Sequence, residues 1–332
     1  MRIGVIGAGS WGTTVANLLC DNGHDVHIWA RESEVVASIN ARHENEMFLK
    51  DIALEPALTA VASIPEAVAD AELLVQAAPS HAVRAVTANV ASALAGRTPI
   101  VVSISKGLEP GTHERVSEIL METLAGCTIV VLSGPSFALE VAQRQATAVV
   151  AASRDEAAAR TVQHTCSNAY FRVYRSHDVV GVELGAALKN VIAIAAGIAD
   201  GLGLGHNPRA ALITRGLAEI ARLGSALGAD PLTFAGLAGM GDLVLTCTGH
   251  LSRNRTLGVE LGKGRTLEEV LGERRTVAEG VKTARTALEL AQQHGVEMPI
   301  TREVEQILFE GKAPRRALQD LMERELKAEQ WR

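Results

Sequence analysis

A chain of 332 residues, 47% hydrophobic and 21% charged, is long enough for two domains with cores of their own, and this balance excludes disorder, collagen and a coiled coil. Aromatic residues make up only 3%, so the core is packed mainly from Ala, Val, Leu and Ile, and a base-stacking surface for single-stranded nucleic acid is disfavoured. The net charge of −6 disfavours a polyanionic partner, so an anionic ligand has to be caught by a few local cations or helix N-termini.

In the first half, short β-rich runs alternate with helical stretches. Arg2–Ile6, Asp25–Ala30, Leu73–Ala77, Ile100–Ile104 and Thr128–Leu132 read as buried strands. Trp11–Asn22, His81–Leu94 and His113–Leu124 read as helices laid on the faces of a parallel sheet. Ala146–Ala151 and Ala169–Tyr174 flank a helical segment and finish the same domain. After about Val179 the β signal fades, and a helical composition continues with Gly and Pro punctuation at Gly201–Gly205, Pro208, Gly228–Pro231, Gly262–Gly264, Gly295 and Pro299. The expected fold is α/β: an N-terminal Rossmann-type doubly wound sheet over residues 1–180, then a mostly α-helical domain over 181–332. The ligand cleft is expected between them, at the carboxyl ends of the strands.

Cys20, Cys127, Cys166 and Cys247 are too scattered for a structural zinc site or a redox pair, and His81, His206 and His250 each stand alone, so no metal is expected. Met1 and Arg2 lead directly into the first apolar run without signal-peptide architecture. The longest apolar stretch, Val191–Ala199, is bounded by Lys189 and Asp200 and falls short of the roughly 20 residues that span a bilayer. A reducing, cytoplasmic setting is the expectation.

Gly7-Ala8-Gly9-Ser10-Trp11-Gly12 follows the first strand and opens a helix. Gly7 permits the tight turn, Gly9 lets backbone approach a pyrophosphate, and Gly12 allows close packing of strand and helix. Arg31, at the end of the second strand, suits a 2′-phosphate and favours NADPH, while Glu32 beside it keeps NADH open. Ser105-Lys106-Gly107 places a cation at the ligand edge of the sheet. Ser133-Gly134-Pro135-Ser136-Phe137-Ala138 adds a turn and a hydroxyl suited to a substrate oxygen, or simply a helix capped by Ser136.

Lys189-Asn190 lies inside the apolar segment Val182–Ala199, where desolvation would lower the lysine pKa into the range of a general acid or base; the plain alternative is a lysine snorkelling at a domain boundary. Gly241-Asp242 and Ser252-Arg253-Asn254 fall in a stretch with few helix formers that reads as a loop around a ligand, with Arg253 a fork for phosphate and Asp242 able to orient an ammonium. Val277-Ala278-Glu279-Gly280 reads as a helix start.

This ordered set, with Leu188-Lys189-Asn190, Ala211-Leu212-Ile213-Thr214-Arg215-Gly216 and Thr246-Cys247-Thr248, resembles the NAD(P)-dependent glycerol-3-phosphate dehydrogenases of bacteria nearly end to end. The resemblance implies an oxidoreductase that interconverts dihydroxyacetone phosphate and sn-glycerol 3-phosphate for phospholipid synthesis. It implies Lys189 as proton acceptor in the oxidation direction, with Lys106, Gly134, Ser136, Lys189, Asp242, Ser252, Arg253 and Asn254 at the substrate. Ser10, Trp11, Arg31, Lys106, Ala138, Arg253, Val277 and Glu279 would contact the dinucleotide, beside Gly7, Gly9 and Gly12. NADPH is the expected cofactor with NADH possible, and no metal, nucleic acid or membrane span is expected. A homodimer is the expected assembly, being the commonest one. The sequence departs from the family at Ala78-Pro79-Ser80 and at Gly205-His206-Asn207-Pro208-Arg209. Two other readings stay open: a related two-domain dehydrogenase of another small phosphorylated or carboxylated substrate, and a non-catalytic dinucleotide sensor.

Overall fold

The computed structural model describes residues 1–272 and 278–329. Its strands are β1 (Arg2–Ile6), β2 (Asp25–Trp29), β3 (Glu44–Asn45), β4 (Leu49–Ala53), β5 (Thr59–Val61), β6 (Leu73–Gln76), β7 (Ile100–Ser103), β8 (Ile129–Ser133), β9 (Thr147–Ala152) and β10 (Phe171–Ser176). Between them lie α1 (Ser10–Asp21), α2 (Ser33–Arg42), α3 (Ile64–Val68), α4 (Val83–Leu94), α5 (Val116–Thr123), α6 (Ala138–Ala142) and α7 (Glu156–Cys166).

Eight strands form one sheet in the order β10-β9-β8-β7-β6-β1-β2-β5. Every neighbouring pair is parallel except β8 and β9. The inner strands are apolar on both faces because both are covered. Val5, Val75, Val102 and Leu132 pack with Val15 and Leu19 of α1, while Ile6, Leu74 and Val101 pack on the opposite face with Val83 and Val90 of α4 and Ile119 of α5. This is the Rossmann-type doubly wound sheet expected. Strand order reverses between β1 and β6, and the carboxyl edge at that switch is where such sheets take their ligands. The segment from 44 to 61 was not expected to hold strands; β3 and β4 form a separate antiparallel ribbon, and the half-exposed β4 offers no apolar run to read.

The remainder is helical: α8 (Val179–Gly201), α9 (His206–Ala226), α10 (Pro231–Phe234), α11 (Asp242–Thr248), α12 (Arg253–Gly262), α13 (Leu267–Gly272), α14 (Glu279–Gln293), α15 (Pro299–Phe309) and α16 (Pro314–Met322). Helix α8 is buried from Gly181 through Ala199 and forms the axis on which α9, α11, α12 and α14 pack. By length and composition alone it could cross a bilayer, so the limit expected from Lys189 and Asp200 does not hold. Its most apolar window is 89% buried inside the protein, as in a core helix. Pro231–Thr248 passes the same test but is broken into short elements.

Backbone meets backbone where α8 crosses α12. A Cβ at Gly197 would collide with the Arg255 carbonyl oxygen, one at Gly201 with that of Val259, one at Gly258 with that of Ile194, and one at Gly262 with that of Ile198. Asp200, at the end of α8, accepts from Arg255 of α12 at 2.9 Å and from Arg209 of α9 at 2.8 Å. The unusual His206–Arg209 segment therefore opens α9 and ties it back to α8. Pro208 is accommodated there because first-turn amides have no intrahelical acceptor.

Gly258→Ala should lower the unfolding free energy by about 1–3 kcal/mol or more, since two helices must part to admit one methyl group. Gly272→Ala, where an added Cβ meets nothing within 4 Å, should change it by less than about 0.5 kcal/mol. Urea unfolding of the two variants measures the contrast.

Candidate active site

The turn between β1 and α1 has the shape its glycines call for. Gly7 sits at φ +120°, and a Cβ there would press on Ala77 and Ala78 of the neighbouring strand end at 3.1 Å. A Cβ at Gly12 would run into the Gly7 carbonyl. Above Gly9 there is open space, and as N-cap it offers no side chain to the first-turn amides of α1, which begin at Ser10 and Trp11. Such a cradle of open amides at the positive end of a helix fits a dinucleotide pyrophosphate.

The cradle is held from outside by the β3–β4 ribbon: fully buried Asn45 donates to the Ala8 carbonyl at 2.9 Å and to Thr13 at 2.8 Å, and the Ser10 hydroxyl donates to the Phe48 carbonyl at 2.5 Å. Trp11 packs its ring onto the sheet core. At the end of β2 the Arg31 guanidinium, largely exposed, donates to Glu32 at 2.8 Å and 3.1 Å, so the two side chains weighed for the ribose site are paired with each other.

At the carboxyl edge of the sheet one carboxylate gathers two ammonium groups. Asp242, 1% exposed at the start of α11, accepts from Lys106 at 2.8 Å through one oxygen and from Lys189 of α8 through the other. Lys189 also donates to the Thr246 hydroxyl at 2.7 Å, and that hydroxyl donates to the Asp242 carbonyl at 2.6 Å. Only 5% of Lys189 is exposed, which excludes a snorkelling side chain. Burial brings its pKa down from 10.5 to about 8, with Asp242 opposing the shift and Lys106 adding to it. For Asp242, burial alone would raise the pKa, yet Lys106 and Lys189 hold it below the ordinary aspartate value.

Two helix N-termini face the same region. Ser252 caps α12 by accepting from the Arg255 amide at 3.2 Å, which sets Arg253 and Asn254 in its first turn. Asn254 donates to Asn190 at 2.9 Å and accepts from the Gly280 amide at 3.0 Å, joining α12 to α8 and to the start of α14. Glu279 opens α14; burial raises its carboxyl pKa, and the charges of Arg253, Lys106 and Lys189 act against that rise.

A family model described as the NAD-dependent glycerol-3-phosphate dehydrogenase N-terminus matches residues 2–159, and the corresponding C-terminus matches residues 178–319. The chain belongs to this family. A relative named glycerol-3-phosphate dehydrogenase, NAD(P)+, from Geobacter sulfurreducens is 57% identical over 99% of this chain and 99% of its own length. One of the same name from Trichlorobacter lovleyi is 56% identical over 99% and 100%. The crystal structure of glycerol-3-phosphate dehydrogenase from Coxiella burnetii superposes with a TM-score of 0.93 at 38% identity, covering 97% of this chain and 99% of that one.

Among the residues that the resemblance to these dehydrogenases singles out, Lys106, Lys189 and Asp242 touch directly, and Asn254 joins them through Asn190. Two expectations need correction. Asp242 and Arg253 stand on helices rather than in a loop, because Ser252 supplies a cap and the glycine contact with α8 favours a helix where composition does not. Ser136 is not a cap: its hydroxyl donates to the Gly134 carbonyl at 2.9 Å, and α6 starts after Phe137. Gly134 is at φ +150° against Val149 of β9, and the Ala138 carbonyl accepts from Thr14 of α1 at 3.2 Å, beside the glycine cradle. Val277 lies outside the described residues. Thr246, Asn190 and Asn45 were not among the expected site residues. For Thr246 the i, i+4 spacing from Asp242 was the available signal.

Asp242→Asn would leave two ammonium groups facing a neutral amide in a closed site. It should cost about 3–5 kcal/mol of stability at pH 6. The loss should shrink by pH 9, above the Lys189 pKa of about 8, where that lysine is neutral and needs no counter-charge. Urea unfolding at both pH values measures this, and equal losses would reduce the role of Asp242 to packing.

Proposed function

We propose that this chain catalyses the reversible reduction of dihydroxyacetone phosphate to sn-glycerol 3-phosphate with a nicotinamide dinucleotide. The observation that carries the reading is the buried Lys189 held on Asp242 together with Lys106, a burial that brings its pKa down to about 8. A dinucleotide sensor has no use for such a group, which favours an enzyme.

When bound, the dinucleotide supplies the hydride in one direction and takes it in the other. Lys189 has three N–H donors, and Asp242 and Thr246 occupy two, so the third is available to a substrate oxygen. It donates a proton to the oxygen that gains charge as the carbonyl is reduced and accepts it back on oxidation, while Lys106 stabilises negative charge nearby. Arg253, with the α12 N-terminus and the Ser252 and Asn254 side chains, clamps the distal phosphate, so binding energy far from the carbonyl orients it. Gly134, Ser136 and Glu279 complete the substrate and cofactor walls in this reading, with residues 1–180 carrying the cofactor and 181–332 the substrate.

The same proposal includes NADPH in preference to NADH, because Arg31 is free of the sheet and can turn from Glu32 to a 2′-phosphate. It also includes a cytoplasmic homodimer supplying phospholipid synthesis. Loss of NADPH absorbance on adding dihydroxyacetone phosphate tests the reaction; no turnover there with turnover on another small carbonyl compound would favour a related dehydrogenase. NADH run in parallel tests the cofactor.

Lys189→Met should bind NADPH normally and lose at least about a hundredfold in kcat. In the wild type the reduction rate should fall as pH rises through about 8, where Lys189 loses its proton, and the oxidation rate should rise through the same range. Flat profiles would remove Lys189 from proton transfer.

Arg253→Ala should lower kcat/KM for dihydroxyacetone phosphate by roughly ten- to several-hundredfold, from charge-assisted bonds worth about 1.5–3 kcal/mol each. Unphosphorylated dihydroxyacetone should be a poor substrate for both forms and be little affected by the change. An equal loss on both substrates would place the phosphate clamp elsewhere.

A further inference from the structure

Glu183 is a carboxylate that the chemistry above does not use, yet it is buried to 7% exposure within the apolar helix α8. Among the described residues, the hydrogen-bond partners of this carboxylate come from the other half of the chain: the Ser117 amide at 2.8 Å, the Ser117 hydroxyl, and the Arg115 guanidinium at 2.8 Å. Ser117 lies in the first turn of α5, so its amide is one that a helix leaves open, and the carboxylate meets the positive end of that helix.

Arg115 is linked to the loop that carries Lys106. Its backbone bridges to Leu108 in antiparallel fashion, closing the loop that starts at Lys106 two residues earlier. The Leu108 side chain, 2% exposed, packs in the same apolar cluster as Leu188 and Val191 of α8. In the other direction, Lys189 stands six residues beyond Glu183 on α8, about 9 Å along the axis. A buried ion pair adds little stability over an apolar pair of the same volume. What the directional contact between guanidinium and carboxylate supplies is a fixed relative position.

We infer that Glu183 is a positioning residue: by clasping Arg115 and Ser117 it sets the Lys106 loop against α8 at the distance at which both lysines reach the single carboxylate of Asp242. The inference rests on the functional reading of Lys189 for its catalytic consequence, and on the hydrogen bonds alone for its structural one. The charged groups around Lys189 are Asp242, Lys106 and Glu279, with the Cys247 thiol within electrostatic reach, and a change at Glu183 alters none of them directly.

The test is Glu183→Gln, which keeps the shape but turns an amide N–H toward one of the two donors, the Ser117 amide or the Arg115 guanidinium, alongside Arg115→Lys, which keeps charge without the fork and guards against a Glu183 variant that does not fold. NADPH affinity, read by fluorescence titration, should stay within about threefold, because the bonds that hold the glycine cradle involve neither Glu183 nor Arg115 nor Ser117. Kcat for dihydroxyacetone phosphate should fall at least about tenfold with KM little changed, as misplacement by an ångström can cost a hundredfold. Arg115→Lys should lie between wild type and Glu183→Gln. The Lys189 ammonium should titrate at least about half a pH unit away from its wild-type midpoint, read by lysine-selective NMR with Lys189→Met as the assignment control. Variants that fold and keep both the wild-type midpoint and kcat, losing only thermal stability, would overturn the clasp. Wild type that shows no turnover of dihydroxyacetone phosphate would overturn the functional reading instead, and the NMR midpoint would still decide the clasp.

Discussion

Asp242 is a carboxylate with almost no access to water, and it is stable there as an anion because one ammonium arrives from each half of the chain. Lys106 comes off the edge of the sheet and Lys189 from the middle of the central helix, and each takes one of the two carboxylate oxygens. Burying one charge of this kind alone is expensive, and a carboxylate between two cations is the arrangement that offsets most of that expense. Two ammonium groups on one carboxylate leave a surplus positive charge in this trio. The relative placement of the two halves is therefore an electrostatic requirement as much as a packing one.

The helical half meets that requirement by bringing two helices into backbone contact. Glycines on α8 and α12 remove the side chains that would otherwise separate them by the usual 8–10 Å, and Asp200 ties Arg255 and Arg209 to the end of the axis. The first turn of α12 then lies beside Asn190, next in sequence to Lys189. Arg253 on α12 and Lys189 on α8 are thereby placed on two helices locked together by backbone contact.

The doubly wound sheet was legible because its inner strands are covered on both faces and read as apolar runs, with the glycine turn in the one place where strand and helix must nearly touch. Lys189 stood out for a related reason: a charge amid Val, Ile, Ala and Leu contrasts with everything around it. The short strands from 44 to 61 had no such contrast, and neither did Asn45, whose buried contacts with Ala8 and Thr13 depend on tertiary folding. The helices at Asp242 and Arg253 were hidden by composition, since glycines and hydroxyl residues lower local propensity while tertiary contact with α8 restores it. Thr246 was visible as a residue, but its part in holding a lysine follows only from where α11 lies against α8.

The grip of Asn45 on the glycine turn has a thermodynamic consequence. Its side chain satisfies the Ala8 carbonyl and the Thr13 hydroxyl from within the protein, and Ser10 is anchored to Phe48, so the turn has its conformation fixed by internal bonds alone. A ligand entering such a cradle does not have to order it, and the conformational entropy that a floppy phosphate loop would lose on binding has already been lost during folding. Association at this turn should then be governed by the removal of water from the open amides, and its heat-capacity change should reflect buried surface and little folding of protein.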